Sequence, residues 1–277
     1  MSLYIASLNS GSNGNCYYVG DGDSAVLIDA GLSCRETERR MQQLDLNIHK
    51  VKAIFISHEH ADHVTGLPGL TKKYPLPIYI TAPTLAAAKL PLNSELIQPF
   101  TAHQAIDIAG LQVTAFPKLH DAADPHSFIV RKGQVTIGIF TDIGEPCNHL
   151  TRYFAQCNAA FLEANYCEDM LAKSHYPIFL KQRISGKQGH LSNAQAVQLF
   201  LSHRGPQLTH LLLSHLSKNN NTPQLAETIF KEKAGSTQIT VASRYAASAV
   251  YHIDGSIGPA PANITRQRQH QVQGSLF

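Results

Sequence analysis

The stretch Ser57–Leu67, SHEHADHVTGL, sets three histidines and two carboxylates (His58, Glu59, His60, Asp62, His63) into six consecutive positions directly after the apolar run VKAIFI. Such a run reads as a buried strand, so the cluster falls where a strand delivers polar groups to one edge of a sheet. Imidazole and carboxylate are good ligands for zinc or a similar divalent ion, and in a loop after a strand the side chains at i and i+2, here His58 and His60, converge on one ion. Asp62 and His63 fall where a helix should begin; they point away from the first pair and can serve a second ion. Glu59 and Ala61 occupy the variable positions, and Glu59 is assigned no ligand role.

A chain of 277 residues with 43% hydrophobic content can cover the core of one large layered domain. The net charge of +3 permits an anionic substrate without demanding nucleic acid. Five cysteines (Cys16, Cys34, Cys147, Cys157, Cys167) include no CxxC pair and an odd one, a pattern of reduced cytosolic thiols rather than a disulfide framework or thiolate zinc site. The amino-terminal segment has no positively charged leader and no apolar run approaches the roughly 18 to 20 residues that span a bilayer, so a cytoplasmic location is expected.

Strand-like runs LYIASL, CYYVG and SAVLIDA open the chain as a meander, the first two separated by the turn-rich NSGSNGN. SCRETERRMQQL then has helical composition, KVKAIFIS reads as a strand, HVTGLPGLTKKY as one short helix and PIYIT as another strand. A second meander (QAIDIAG, LQVTAFPK, HSFIVRKG, QVTIGIFTDIG) is again followed by alternating helices and strands, through AAFLEAN, NAQAVQLFLSH, THLLLSH, PQLAETIFKE and QITVAS. Two halves of like plan predict an α/β fold with two facing sheets and helices outside. Residues 1–255 form the expected domain; 256–277, rich in proline and polar residues, form a flexible tail.

HEHADH resembles the signature of the metallo-β-lactamase superfamily, and the likeness extends over roughly residues 1 to 250. It implies a four-layer αβ/βα sandwich with two divalent cations at one edge. It also implies a further histidine, a bridging aspartate and a final histidine at the ends of later strands, matched here by His120 (AFPKLHDAADP), Asp142 (IFTDIG) and His215 (LLLSHLSKNNN). By the resemblance His58, His60 and His120 hold one metal, Asp62, His63 and His215 the other, and Asp142 bridges both. Zinc comes first, with manganese or iron also suited to the donors. Each match has its own rationale, an apolar strand presenting a polar residue at its carboxyl end, where a crevice is expected. Asp29 in VLIDAG is either a carboxylate that orients the ligands from behind or a structural loop residue. His103, His126, His149, His175, His203 and His210 read as surface or supporting histidines, with His126 placed nearest the site.

SLNSGSNGNCYYV, LEANYCEDML, YPIFLKQRISGKQGHLSNAQA and LLLSHLSKNNN together resemble the YycJ/WalJ branch, described as nuclease-like, and more distantly RNase Z and cyclic phosphodiesterases. That implies metal-assisted phosphodiester hydrolysis, with Asp62 and His190 assigned catalytic roles, His190 binding a phosphate oxygen or protonating the leaving alkoxide. In the other reading His190 is a loop residue and Ser192 the N-cap of the following helix. Where the branch reads Glu-Ala-Asn-His, this chain has Glu163-Ala164-Asn165-Tyr166. The turn GSNGN is either a plain hairpin turn or a nest of N–H groups for a phosphate.

The closing QGSLF resembles the QxxLF peptide by which bacterial replication and repair proteins dock on the sliding clamp, with Gln273, Leu276 and Phe277 as contacts; the alternative is a tail docked on its own domain. The resulting expectation is a bacterial DNA exonuclease tied to replication or repair. Two readings compete with it: a small-molecule hydrolase of a cyclic diester, lactone or thioester, favoured by the lack of a long basic stripe with aromatics, and a noncatalytic clamp-associated scaffold, disfavoured by a donor set without thiolate. Deleting residues 273–277 should abolish binding to the sliding clamp while hydrolysis of a small diester continues, a result that a clamp pull-down beside a colorimetric assay would read.

Overall fold

Short apolar runs separated by turns build two seven-stranded sheets in the computed structural model, which describes residues 1–256. The first sheet holds β1 (Leu3–Asn9), β2 (Cys16–Gly20), β3 (Ala25–Ile28), β4 (Val51–Phe55), β5 (Ile78–Tyr79) and β6 (Ile97–Gln98) in that spatial order, antiparallel up to β3 and parallel beyond. The second repeats the plan with β7 (Ala105–Ile108), β8 (Leu111–Pro117), β9 (His126–Lys132), β10 (Val135–Phe140), β11 (Ala159–Glu163), β12 (His210–Ser214) and β13 (Gln238–Val241), parallel from β10 onward. A last strand, β14 (Tyr251–Ile253), returns to the first sheet beside β1.

Facing residues of the two sheets, among them Tyr17 and Phe55 against Phe128 and Phe161, form the central core. Helices cover the outer faces. On the first sheet lie α1 (Cys34–Gln43), α2 (Ala61–Val64), α3 (Leu67–Lys73) and α4 (Ala82–Ala88), with Met41, Leu67 and Leu70 packed inward. After β10 come α5 (Asn148–Phe154), α6 (Glu168–Lys173), α7 (Ile178–Ser185), α8 (Asn193–His203) and α9 (Pro223–Lys231); Phe154, Phe200 and Phe230 cover the second sheet. Strands buried on both faces lose the polar alternation of a half-exposed strand, which is why β2, β3, β10, β11 and β12 are apolar almost throughout and fully buried. The expected sandwich of two facing sheets is the one observed.

One element differs. HVTGLPGLTKKY was expected to make a single helix, but the chain forms α2 and α3 with a break at Thr65–Gly66. The break follows from packing: the Gly66 N–H donates to Ala30 O at 2.8 Å, and a Cβ on Gly66 would lie 1.6 Å from Leu32 O. The segment after β3 therefore runs in backbone contact with the end of the histidine cluster. The tail residues Gln273, Leu276 and Phe277 lie outside the described residues. The five cysteines are free, and no described helix is long and apolar enough to cross a membrane.

Gly66→Ala should lower unfolding stability by about 1–3 kcal/mol through overpacking. Gly22→Ala, where a Cβ meets nothing within 4 Å, should stay within about 0.5 kcal/mol of the parent in the same urea titrations.

Candidate metal centre

The candidate ligands gather where parallel strands end. His58, His60, Asp62 and His63 follow β4, Asp142 follows β10, His215 follows β12, and His120 follows β8, which runs in the same sense as β10 through their shared antiparallel neighbour β9. Asp29, Asp142 and His215 have φ of 61°, 56° and 54°. This left-handed conformation costs an L-residue about 1–2 kcal/mol, and asparagine, aspartate and histidine accept it more readily than most. It turns the chain sharply at the strand end, and it recurs at three positions of one site.

The placement unites all seven predicted ligands. His60 Nδ1 lies 3.1 Å from His58 Nε2 and 3.3 Å from His120 Nε2. Asp62 Oδ2 lies 3.5 Å from His63 Nε2 and 3.3 Å from His215 Nε2. Asp142 stands between the groups, Oδ2 at 3.2 Å from His63 Nε2 and Oδ1 at 4.0 Å from His120 Nε2. In each of the sets His58–His60–His120, Asp62–His63–His215 and His58–His63–Asp142, the nearest ligand atoms lie within 4.8 Å of one another.

The donor chemistry fits cations. The outer nitrogens of three rings face acceptors: His63 Nδ1 faces Asp29 Oδ2 at 2.7 Å, His120 Nδ1 faces Gly189 O at 3.0 Å, and His215 Nδ1 faces Glu163 Oε1 at 3.0 Å. A ring that donates from Nδ1 presents a lone pair at Nε2. The interior of the cluster is thus lined by lone pairs, and Asp142 Oδ2 is buried with no hydrogen-bond donor directed at it among the described residues. Acceptors crowded this closely need positive charge among them. Nitrogen and carboxylate donors without thiolate match zinc, manganese or iron in a hydrolytic rather than structural site.

The electrostatics agree. Burial works against a charged His63 ring, yet Asp142, Asp29 and Asp62 together hold its pKa well above that of free histidine. For His215 burial is likewise overcome by Asp142, Asp62 and Glu163, which lift it to about 10. Burial also opposes ionisation of Asp62 and Asp142, but the neighbouring imidazoles hold both below the usual carboxylate range. At His58 and His120 burial, reinforced by the charges of Lys118 and neighbouring histidines, outweighs Asp142, keeping His58 well below its ordinary value and His120 at about 4. Positive charge in this pocket is held against burial by converging carboxylates, the environment a divalent cation shares.

Asp29 sits behind the ligands, accepting from Ser57 N–H and Ser57 Oγ, each at 2.8 Å, as well as facing His63. Asn15 Nδ2 donates to Asp62 Oδ2 at 2.9 Å. In the turn that carries Asn15, the Gly11 N–H donates to Asn15 Oδ1, the Gly14 N–H to Gly11 O and the Asn15 N–H to Asp62 O, so three of its five N–H groups serve the local structure and its join to the motif loop. Glu59 accepts from Ala123 N–H at 2.8 Å, away from the ligand sets, and His126 points its Nδ1 at Asp124 O.

Ser192 caps α8 in a capping box with Gln195, yet His190 also reaches the centre, its Nδ1 lying 2.8 Å from Glu163 Oε1 and 3.9 Å from Asp142 Oδ1. Glu163 is the residue that sequence reading missed. It is fully buried at the end of β11, receives both His190 and His215 on Oε1, and accepts the N–H groups of Ile143 and Leu191 on Oε2. Burial would raise its pKa, but the His190 charge and the hydrogen bonds bring it down to about 2. The signal was present: AAFLE ends an apolar strand on an acid, as IFTD does. Tyr166, where the branch carries histidine, is buried and bridges to Ser192.

A family model described as a β-lactamase superfamily domain matches residues 24–215. The exodeoxyribonuclease YycJ of Bacillus anthracis is 33% identical over 231 residues, 82% of this chain and 87% of that protein. The exodeoxyribonuclease WalJ of Streptococcus pneumoniae is 29% identical over 224 residues, 79% and 83% of the two chains. Among solved structures, the metallo-β-lactamase fold protein YhfI from Bacillus subtilis superposes with a TM-score of 0.70 at 16% identity, covering 91% of this chain and 100% of that one.

Asp29→Asn should weaken metal binding about 10- to 100-fold, the usual cost of losing a carboxylate behind a ligating histidine. Competition with a chromogenic chelator, scored on folded protein, reads that loss without recourse to turnover.

Proposed function

The chain belongs to the metallo-β-lactamase superfamily, and from that premise we propose that it is a dinuclear metal-dependent phosphodiesterase acting on DNA as an exonuclease. The observation that carries this reading is His190, braced by buried Glu163 at 2.8 Å beside the seven candidate ligands and itself only partly buried. Phosphodiester cleavage expels an alkoxide, which needs a proton, whereas a thioester expels a thiolate that does not; a lactone also expels an alkoxide, and the similarity to exodeoxyribonucleases weighs against it. The exodeoxyribonuclease names of two relatives similar over most of their length support DNA as substrate.

In this reading His58, His60 and His120 hold one cation, Asp62, His63 and His215 the second, and Asp142 faces both. Zinc suits the imidazole-rich set best, and the carboxylates also admit manganese or iron. When bound, two such ions supply Lewis acidity toward the phosphoryl oxygens. The remaining work falls to side chains of the protein. Glu163 accepts from Nδ1 of His190, which fixes the orientation of the ring and turns Nε2 toward the open side of the site. A proton held at His190 Nε2, which has no partner among the described residues, is then available to the departing oxygen. Asn15 and Asp29 keep Asp62 and His63 aimed inward. Docking of Gln273, Leu276 and Phe277 on a sliding clamp would bring this site to DNA during replication or repair.

His190→Ala should lower kcat on DNA by about 10²–10⁴-fold, the usual yield of a general acid, with a much smaller loss on an aryl diester whose leaving group needs no proton. Asp142→Ala should lose metal and turnover together. Release of label from 5′- and 3′-labelled duplexes reads both variants. Full activity in Asp142→Ala would sink the proposal, and turnover of a thioester or lactone but not of DNA would make the protein a small-molecule hydrolase.

A further inference from the structure

Next to the ligand cluster lies a cavity of ≈ 470 Å³ lined by Ser10, Ser217, Lys218, Gln224, Arg244 and Tyr245 among others, a size in the range of small-ligand sites. It adjoins the centre directly. Ser217 is two residues beyond His215, and Ser10 Oγ accepts the His215 backbone N–H at 2.7 Å while the Ser10 N–H donates to Ser243 O at 3.1 Å.

One wall of the cavity carries a cation held in place. Asn13 Nδ2 donates to Arg244 O and Arg244 Nη2 donates to Ser12 Oγ, both at 2.8 Å. Gly11, at φ +146°, lets the arginine pack over the turn, since a Cβ there would lie 3.1 Å from Arg244 Cβ. The GSNGN turn thus serves to fix an arginine. Arg244 Nη1 is buried and has no hydrogen-bond partner among the described residues. A buried guanidinium nitrogen without an acceptor is costly and calls for an anion.

Two further features match the ligand such an anion belongs to. At the start of α9, Thr222 caps Leu225 N–H and Pro223 has no N–H to give, which leaves the Gln224 N–H at the cavity wall without an acceptor among the described residues. Tyr245 follows Arg244 and is 68% exposed, an aromatic face that no core packing explains. Guanidinium, ammonium and a free ring beside one another are the components of a single-stranded nucleic-acid contact.

We propose that this cavity is a nucleotide subsite that holds the unit adjoining the scissile linkage, its phosphate on Arg244, Lys218 and the Gln224 N–H and its base stacked on Tyr245. The assignment rests on the phosphodiesterase reading and specifies how that site grips its substrate. Fluorescence anisotropy of a labelled single-stranded phosphorothioate oligonucleotide, whose linkages resist cleavage, on the full-length, metal-loaded protein at low temperature tests it apart from turnover. Tyr245→Ala and Arg244→Met should each weaken binding about tenfold, Tyr245→Phe should bind as the parent does, and Arg244→Met should reduce the salt slope by about one. Affinities within about twofold of the parent in both Tyr245→Ala and Arg244→Met overturn the subsite, and Tyr245→Phe as weak as Tyr245→Ala overturns the stacking. Parent protein that binds the oligonucleotide through these residues yet hydrolyses no phosphodiester would refute the phosphodiesterase reading while leaving the subsite standing.

Discussion

Lone pairs repel one another, and this protein holds a dozen or so of them within one small, largely buried space. The central constraint on the fold is to supply enough rigidity to keep His58, His60, His63, His120, His215, Asp62 and Asp142 facing inward. Two double-covered sheets meet that demand, because a strand packed on both faces cannot shift its end without disturbing three layers. The residues behind the ligands complete the hold. Asp29 fastens the motif loop to β3 through Ser57 and His63, and Glu163 fastens the loop after β12 to the segment that carries His190.

Much of this was legible before any coordinates. The HxHxDH spacing carries its chemistry locally, since four of the seven ligands come from one strand end and the helix that follows it. His120, Asp142 and His215 came from the family resemblance, and the strands that end near them agree with it without singling them out. Glu163 also stands at a strand end and was passed over, as it touches no predicted ligand in sequence and its importance lies in two histidines, at 190 and 215, that only folding brings together. The single helix expected after the motif failed for a tertiary reason: the break at Gly66 is imposed by the backbone of residues 30–32. Helices α4, α6 and α7 are short and carry little or no buried face, so their periodicity is faint.

The turn between β1 and β2 shows the limit of reading glycine-rich loops by composition. Glycine and asparagine in close sequence suggest exposed N–H groups ready for an anion, but here those of Gly11, Gly14 and Asn15 are taken up by Asn15 Oδ1, Gly11 O and Asp62 O. What the turn contributes is a seat for Arg244, more than 200 positions away in the chain. A cavity assembled from the loops after β12 and β13, with Lys218, Arg244 and Tyr245 on its wall, leaves no basic stripe in the sequence.

The left-handed backbone at Asp29, Asp142 and His215 has an evolutionary consequence. Glycine would relax the main chain at each of these positions and contribute about 1 kcal/mol of thermodynamic robustness in exchange for the carboxylate or imidazole that lines the site. Selection for heat resistance alone would therefore favour glycine there and drift toward a sturdier protein stripped of those side chains.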